Sequence, residues 1–439
     1  MLLILTIGKG VFGYSTEPLL IMVAAIAAFI AFRVGVTWDE MMDEICTKIA
    51  KGMPAILILV CVGAMVGTWM AAGTIPMMIY YGVQIVNPKF MLVTAFLIEA
   101  VVSVVTGTSW GSVATMGVAL MGIASALGVS LPATAGACIA GSYFGDKMSP
   151  LSDTTNLAPI AAGSTLYEHI GHMFYTTVPG FIVSCIVYLV AGAHFASDSQ
   201  VGQVDEIINT LGKLFNLSMP TGLLLLIPCV IAGSLMKKPT IPVMIISSAV
   251  AVVIAMAIQG FSFSDCAASM VSGFKMEMLH TSVDLENIVE QIPNLLQRGG
   301  MSSMMNTALM AFCGFSFIGA LTVCGSMELI LERIMKHIHG TGQLITLTVA
   351  LGVVMITVIG EATVTFLMIG GMFRPEYIKR GLESKNLSRS LEDSITVVEP
   401  LVPWSLAGVY MTSVLGVPTV QYAPWAVLCY TGVFFAILW

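Results

Sequence analysis

The sequence predicts an all-α, polytopic membrane protein, and three features of its composition support this prediction. Of its 439 residues, 57% are apolar and only 10% are charged, whereas an average soluble domain carries roughly 25% charged residues. The mean hydropathy is +0.93. Glycine and proline, which are more frequent in membrane helices than in soluble ones, number 42 and 18. A chain with so few charges cannot be a secreted, disordered or nucleic-acid-binding protein.

Apolar stretches that could cross a bilayer, or half of one, recur along the whole chain. We expect about 10–12 spans, one of them near residues 217–236. All of residues 1–439 are assigned to a single transmembrane domain in the cell (inner) membrane. Two stretches are more polar, and we expect a loop at 197–216 and an amphipathic surface segment at about 262–298.

The chain repeats itself after a shift of 253 positions. At this shift glycines, a proline, a serine and a carboxylate coincide: Gly107 with Gly360, Gly128 with Gly381, Gly163 with Gly416, Pro150 with Pro403, Ser152 with Ser405 and Asp146 with Glu399. Matching carboxylates and prolines in one register are difficult to obtain by chance. We therefore predict a duplication, with one repeat at about 50–165 and the other at about 298–418.

The distribution of basic residues predicts how the two repeats are oriented. The second repeat carries five Lys or Arg residues in an expected loop at 374–389, whereas the corresponding stretch 121–136 carries none. Positive residues accumulate in cytoplasmic loops, so the two loops are expected on opposite sides of the membrane. This is an inverted-topology repeat with broken or re-entrant helices, an architecture of many secondary transporters.

The densest polar run of the first repeat interrupts an apolar region at residues 145–156. Gly145 and Pro150 oppose a continuous helix there, because proline removes a backbone donor and clashes with the preceding turn. Open backbone at membrane depth is tolerated only where protein buries it or a water-filled cavity meets it. The run offers a set of oxygen donors suited to a hard cation, namely Asp146, Ser149, Ser152, Asp153, Thr154 and Asn156. We predict Na⁺ binding at Asp146, Asp153 and Asn156; the alternative is an ordinary interfacial loop.

A second candidate site follows the apolar run 343–359, where the stretch 360–363, with Glu361, corresponds to the stretch 107–111, with Thr108 and Ser109, in the first repeat. A carboxylate inside the bilayer is costly unless it is paired, protonated or bound to a cation. We place Glu361 and Glu399, with Thr108 and Ser109, in the half-site that faces the first. The alternative for Glu361 is a protonated side chain that hydrogen-bonds between helices.

Three further polar positions leave alternatives open. Lys147 is either a charge partner of the site or a lysine whose ammonium group reaches water. Glu99 is either functional or a structural partner. His169 and His172, three residues apart, are expected to be solvated at an interface rather than to sense pH.

The motifs as a group resemble the NhaC family of Na⁺/H⁺ antiporters. The matching runs are 107–111, 141–159 and 386–393, and the resemblance extends from about Pro18 to about Pro424. It implies two inverted repeats with paired hairpins and coupled movement of Na⁺ and H⁺. The family includes members similar to malate/lactate exchangers, so the resemblance leaves the substrate open. One departure is Ala362-Thr363 after Glu361, where the family often carries Gln-Tyr, which leaves the neighbouring specificity determinants open.

Three functions are compatible with these observations. The first is Na⁺/H⁺ antiport by alternating access through an intramembrane carboxylate site. The second is Na⁺/H⁺-coupled exchange of malate, lactate or a similar carboxylate held by hydroxyls and helix N-termini. The third, an intramembrane serine protease using Ser109 or Ser149, lacks a histidine placed inside the membrane.

Catalytic and cofactor motifs give little support to an enzyme. No ATPase or hydrolase pattern occurs, and nine cysteines without a CxxC pattern argue against disulfides or a metal knuckle. We expect a non-enzyme without cofactors, whose partners are Na⁺, H⁺ and lipid, without nucleic acid. A homodimer is left open.

Overall fold

The computed structural model describes residues 14–195, 201–217, 238–279, 291–325 and 340–438, together with residues 4, 8, 12, 232, 233 and 236. All regular secondary structure in these residues is helical. Eight of their helices are long and apolar enough to cross a membrane, and a pair bent by 58° near the end of the chain would make a ninth span. The prediction of an all-α, multi-pass membrane protein is confirmed. The expected 10–12 spans included half-spans, and the stretch 217–236 lies mostly outside the described residues.

The described helices are numbered in chain order. The first nine are α1 (Thr16–Val34), α2 (Trp38–Ala71), α3 (Thr74–Ile85), α4 (Pro88–Thr106), α5 (Ser109–Ala126), α6 (Leu131–Met148), α7 (Asp153–Ala162), α8 (Leu166–Phe195) and α9 (Val201–Leu214). They are followed by α10 (Thr240–Gln259), α11 (Phe263–Ser272), α12 (Gln291–Leu296), α13 (Met301–Val323), α14 (Thr341–Ile359), α15 (Ala362–Lys379), α16 (Ser384–Ser394), α17 (Leu406–Leu415), α18 (Thr419–Trp425) and α19 (Val427–Leu438). A short 3₁₀ turn, Glu399–Leu401, lies between α16 and α17.

The expected loop at 197–216 is wrong, because most of it forms α9. Ile207 and Leu211, four residues apart, are fully buried, whereas Asp205 and Glu206 are exposed. This is the pattern of an amphipathic helix whose apolar stripe packs on the protein. The expected surface segment contains α11 and α12, and its residues 280–290 lie outside the described part of the chain.

Helix boundaries follow the predicted duplication closely. A shift of 253 positions carries α5 onto α15 and α7 onto α17, residue for residue at both ends. The three glycine pairs adopt the left-handed conformation in both copies: Gly107 and Gly360, Gly128 and Gly381, Gly163 and Gly416. Other residues pay a steric cost in this conformation, so glycine ends a helix there readily. These coincidences support a duplication, whereas its boundaries at 50–165 and 298–418 and its inverted orientation remain predictions.

The expected loop at 374–389 proves to be mostly helical. It contains the end of α15, a turn at 380–383 and the start of α16. Arg389 is only 2% exposed within α16, because that face of the helix packs inside the protein. The comparison of basic residues with the stretch 121–136 therefore rests on four Lys and Arg residues near this turn instead of five. The placement of the two turns on opposite sides of the membrane remains a prediction.

In each half, the short helix that follows a break in the chain packs against helices of the other half. Helix α7 packs against α15 and α16, and α17 packs against α5. The rings of Trp110 in α5 and Tyr410 in α17 stack with their centroids 4.1 Å apart, and the Tyr410 hydroxyl donates to the Trp110 carbonyl. This reciprocal packing brings together the N-termini of four helices, α5, α7, α15 and α17.

Candidate ion-binding site

A cavity of about 770 Å³ lies where the two halves meet. Helices α5, α7, α15 and α17 all begin at its wall, since the first residue of each lines it: Ser109, Asp153, Ala362 and Leu406. The first turn of a helix presents backbone N–H groups without intrahelical partners and the positive end of the helix dipole. The cavity therefore has a positive backbone field into which acidic side chains project.

Asp146 is the acidic side chain that the first half fixes most firmly in this cavity. It is almost fully buried near the end of α6. Ser109 Oγ donates to its Oδ2 at 2.7 Å, and Ser152 Oγ donates to its Oδ1 at 2.6 Å. The hydroxyls come from the start of α5 and from the break between α6 and α7, so three segments of the chain meet at one carboxylate.

Serine hydroxyls hydrogen-bond to backbone groups at the break between α6 and α7 and so fix its conformation. Ser149 is extended and fully buried, and its Oγ donates to the Val104 carbonyl at 2.8 Å. Ser152 caps α7, where its Oγ accepts from Thr155 N. Ser149 does not line the cavity but ties the break to α4, and its role as a cation ligand remains a prediction.

The remaining predicted ligands of the first half line the cavity. Asp153 is exposed to it at the start of α7. Asn156 Nδ2 donates to the carbonyls of Pro150 and Ser152, at 3.0 and 2.6 Å. The amide oxygen of Asn156 is therefore the atom able to coordinate a cation. Thr154 also lines the cavity, with its Oγ1 3.0 Å from Ser152 Oγ.

The second half contributes Glu361 and Glu399, as predicted, but Glu361 also has a structural role that the sequence did not suggest. Its Oε1 accepts from Thr363 N at 2.9 Å and its Oε2 from Val364 N at 2.8 Å. It therefore caps its own helix, α15, instead of bonding between helices, just as Thr108 caps α5. Glu399 is almost fully buried and lines the cavity just before α17.

The four carboxylates share a cavity wall but do not form a multidentate metal cluster. Within the described part of the chain, no group of three or more His, Cys, Asp or Glu side chains is arranged to hold a metal ion. The predicted ligands are instead spread around the cavity with hydroxyls between them.

Sequence reasoning missed two basic residues of the cavity, Lys51 in α2 and Lys238 just before α10. Both side chains are exposed to the cavity side. The signal for Lys51 was weak, because five other charged residues precede it in α2: Asp39, Glu40, Asp43, Glu44 and Lys48. For Lys238 the sequence offered none.

Lys147 and His169 lie elsewhere than expected. Lys147 is fully buried, does not line the cavity and forms an ion pair with Asp393 of α16. His169 is also fully buried, with Nδ1 3.0 Å from Ser388 Oγ. The solvated alternatives for these two residues are wrong, because α16 is a buried polar helix that supplies them with partners.

Comparison with known proteins identifies relatives over nearly the full length. The profile of the Na⁺/H⁺ antiporter family matches residues 141–439. An uncharacterized Na⁺/H⁺ antiporter of Haemophilus influenzae is 46% identical, covering 100% of this chain and 93% of that protein. The Na⁺/H⁺ antiporter NhaC of Alkalihalophilus pseudofirmus is 34% identical, with 95% and 88% covered. A malate-2H⁺/Na⁺-lactate antiporter of Bacillus subtilis is 32% identical, with 94% and 86% covered.

Among solved structures, the YdaH transporter of Alcanivorax borkumensis is similar in outline. Its TM-score is 0.44 at 12% sequence identity, with 96% of this chain and 98% of that chain covered.

Proposed function

The chain belongs to the Na⁺/H⁺ antiporter family, and from this premise we propose that it exchanges Na⁺ for H⁺ across the cell membrane. The observation that carries the proposal is Asp146, a nearly buried carboxylate held by two serine hydroxyls in a cavity between the halves. One carboxylate that binds either a cation or a proton, but not both at once, couples the two gradients.

The chemistry at Asp146 follows from its surroundings. A dehydrated Na⁺ in a cavity of low dielectric needs a fixed negative partner. Asp146 supplies the charge, while Ser109 and Ser152 hold its oxygens in place and offer their own lone pairs. Asp153 and the Asn156 amide oxygen complete the proposed Na⁺ ligands at the start of α7. A proton on Asp146 removes the charge and releases the ion.

Alternating access would use the packing between the halves. Helices α7 and α17 each lie against the opposite half, so a movement of one half relative to the other changes the cavity wall on both sides. Rocking of one repeat against the other around a fixed site is the usual mechanism of transporters built this way. Glu361 and Glu399 would keep the cation between two acidic walls throughout this movement.

Asp146→Asn tests the proposal in proteoliposomes with an imposed pH gradient, comparing Na⁺, Li⁺ and K⁺ at several pH values. We expect exchange to be abolished while the protein still inserts, because an amide neither carries the charge nor accepts a proton near neutral pH. Asp153→Asn should be nearly as harmful, and Glu399→Gln and Glu361→Gln less so. The control is Glu168→Gln, since Glu168 bonds Thr165 outside the cavity. Exchange by Asp146→Asn at the parent rate across the pH range would refute the assignment.

A second candidate is coupled exchange of a small carboxylate, and it is favoured by Lys51, Lys238 and the four helix starts at the cavity. Backbone N–H groups at helix N-termini and lysine ammonium groups are common ligands of carboxylates. The same proteoliposomes with malate or lactate separate the two candidates. This exchange would be favoured if protons moved only when a carboxylate was present and if this movement were lost in Lys51→Gln and in Lys238→Gln. Proton movement driven by Na⁺ alone would favour the first.

A further inference from the structure

A second group of ionisable side chains is buried outside the cavity, around α16. Glu392 and Asp393 are fully buried, and so are Lys147 and His169, which reach them from α6 and α8; Arg389 is 2% exposed. None of them lines the cavity. The ion pair of Lys147 with Asp393 links the two halves of the chain. This group, which we call the α16 cluster, has no assigned role in the exchange described above.

Several atoms of the α16 cluster have no hydrogen-bond partner. They are both carboxylate oxygens of Glu392, Oδ2 of Asp393, Nε and Nη2 of Arg389 and Nε2 of His169. The hydroxyl group of Thr396 lies near the carboxyl group of Glu392, but its oxygen has no hydrogen-bond partner either. Buried polar atoms are almost always satisfied in folded proteins. An ionised carboxylate buried without a partner costs several kcal/mol, and the usual response is to bind a proton.

The charges around Glu392 favour a proton over a metal ion as its ligand. Lys147 and Arg389 bring two positive groups into the α16 cluster, and these oppose a metal cation there. The carboxyl group of Glu392 lies near enough to Lys147, Asp146 and Asp393 for their charges to act on it. Three further titratable groups on the surrounding helices lie near enough to act on members of the α16 cluster, namely His172 of α8, Tyr377 of α15 and Cys429 of α19. Helix α14 carries none, and Asp153 of α7 faces the cavity.

Polar side chains connect Glu392 with a more accessible part of the protein. His172 is only partly buried, and its Nε2 lies 3.0 Å from Asn386 Oδ1 near the start of α16. His169, about one turn earlier in α8, contacts Ser388. Ser388 and Glu392 are four residues apart and so lie on the same face of α16. Histidines, hydroxyls and the carboxyl group therefore lead inward in one row.

We propose that Glu392 is a second proton-binding site of this protein and that a proton there and a cation at Asp146 exclude each other. The inference rests on the proposed function. With the cavity empty, the negative charge of Asp146 favours a proton on Glu392. A cation at Asp146 cancels that charge, so the proton leaves Glu392 along the row of polar groups, and the carboxylate left behind is compensated by Lys147 and Arg389. Each Na⁺ bound then displaces one proton: from Asp146 itself at a pH where Asp146 is protonated, and from Glu392 at a higher pH where Asp146 is already ionised.

The test compares Na⁺ binding to purified parent protein and Glu392→Gln between pH 6 and pH 8, by calorimetry in two buffers of different ionisation enthalpy. Each displaced proton makes the apparent Kd for Na⁺ change about tenfold per pH unit below the pKa of the group concerned. The parent should therefore keep this pH dependence, and the release of H⁺ that accompanies Na⁺ binding, up to a higher pH than Glu392→Gln does. Glu392→Asp should keep the parent's dependence. The matched control is Glu99→Gln, since Glu99 is equally buried with unpartnered oxygens but lies outside the α16 cluster.

The outcomes distinguish the two proposals. If Asp146→Asn abolishes Na⁺ binding while Glu392→Gln keeps the parent's pH dependence, Glu392 is not the second site and the proposed function stands. If Asp146→Asn binds Na⁺ like the parent, the proposed function itself fails. Should Glu392→Gln not fold, infrared difference spectra of the parent with and without Na⁺ decide: loss of one and the same protonated-carboxyl band at every pH overturns the inference, and loss of a second band only at the higher pH supports it.

Discussion

Helix α6 and the segment 384–401, which begins with α16, occupy equivalent positions in the two halves, yet they are buried by opposite means. Helix α6 is rich in alanine and glycine, and at Gly145 a Cβ atom would lie 2.4 Å from Val104 N of α4. Helix α16 places Arg389, Glu392 and Asp393 in the interior instead. The residues of α6 at these three positions, after the shift of 253, are a glycine, an isoleucine and an alanine. Two segments in equivalent positions can thus be buried by close packing in one half of the chain and by paired charges in the other.

The largest effect is expected where the two segments meet, at the ion pair of Lys147 and Asp393. Asp393→Ala leaves Lys147 buried without its partner, which should cost about 3–5 kcal/mol and leave little folded protein. The measurement is the Tm and the yield of monodisperse protein in detergent. The double variant Lys147→Met/Asp393→Leu should recover most of that stability, because it removes both buried charges. A single variant as stable as the parent would show that charge does not hold α16 in place.

A smaller loss of stability is expected from filling the close contact of α6. Gly145→Ala forces a Cβ atom against Val104 N and Ser103 Cβ of α4, and such overpacking costs typically about 1–3 kcal/mol. The control is Gly371→Ala in α15, where no atom lies within 4 Å of the added Cβ position. Equal Tm values for the two variants would contradict the distinction between a packed and a charged copy.

A still smaller and reversible effect is expected at the equivalent contact of the second half. An added Cβ at Gly352 of α14 would lie 2.0 Å from Ser394 Oγ of α16. In the first half the glycine lies on the opposite partner of the helix pair, because Glu99 of α4 corresponds to Gly352 and Gly141 of α6 corresponds to Ser394. A Cβ atom added at Gly141 would lie 2.9 Å from Glu99 Cβ. Gly352→Ala should lower the Tm, and Ser394→Gly in the same chain should restore it. Failure of this rescue would mean that the two contacts are not equivalent.

The orientation of the copies can be tested without any expected change in stability. Single cysteines at Ser125 and Glu383, near the two equivalent turns, are treated on intact cells with an impermeant thiol reagent. With four basic residues near one turn and none near the other, we expect only Ser125→Cys to react above the parent's background. Reaction of both cysteines from outside would exclude an inverted repeat.

The sequence was sufficient for the fold class and for most of the cavity, because both depend on local signals. Apolar stretches predict membrane helices, and a polar run with Gly145 and Pro150 predicts a helix break whose oxygens face a cavity. Asp146, Asp153, Glu361 and Glu399 were found from these patterns, and all four line the cavity.

The α16 cluster could not be predicted in this way, because its burial depends on distant partners. Arg389 was assigned to a loop since arginine is seldom buried, and nothing near Lys147 in the sequence indicates Asp393, 246 positions away. The same reason explains the wrong expectation for His169, whose partner Ser388 lies 219 positions away. Lys51 and Lys238 were missed because only the packing of α2 and α10 brings them to the cavity.

The four helices that begin at the cavity make the backbone itself a counter-ion of the acidic side chains. Each N-terminus carries the equivalent of roughly half a positive elementary charge, so the carboxylates offset a field that the fold cannot remove. Neutralising one of them does more than delete a ligand, because it shifts the electrostatic potential of the whole cavity towards positive values. If the proposed cation site is correct, the number of ionised carboxylates sets whether the cavity accepts cations or anions, and progressive neutralisation of these carboxylates should shift its preference towards anions.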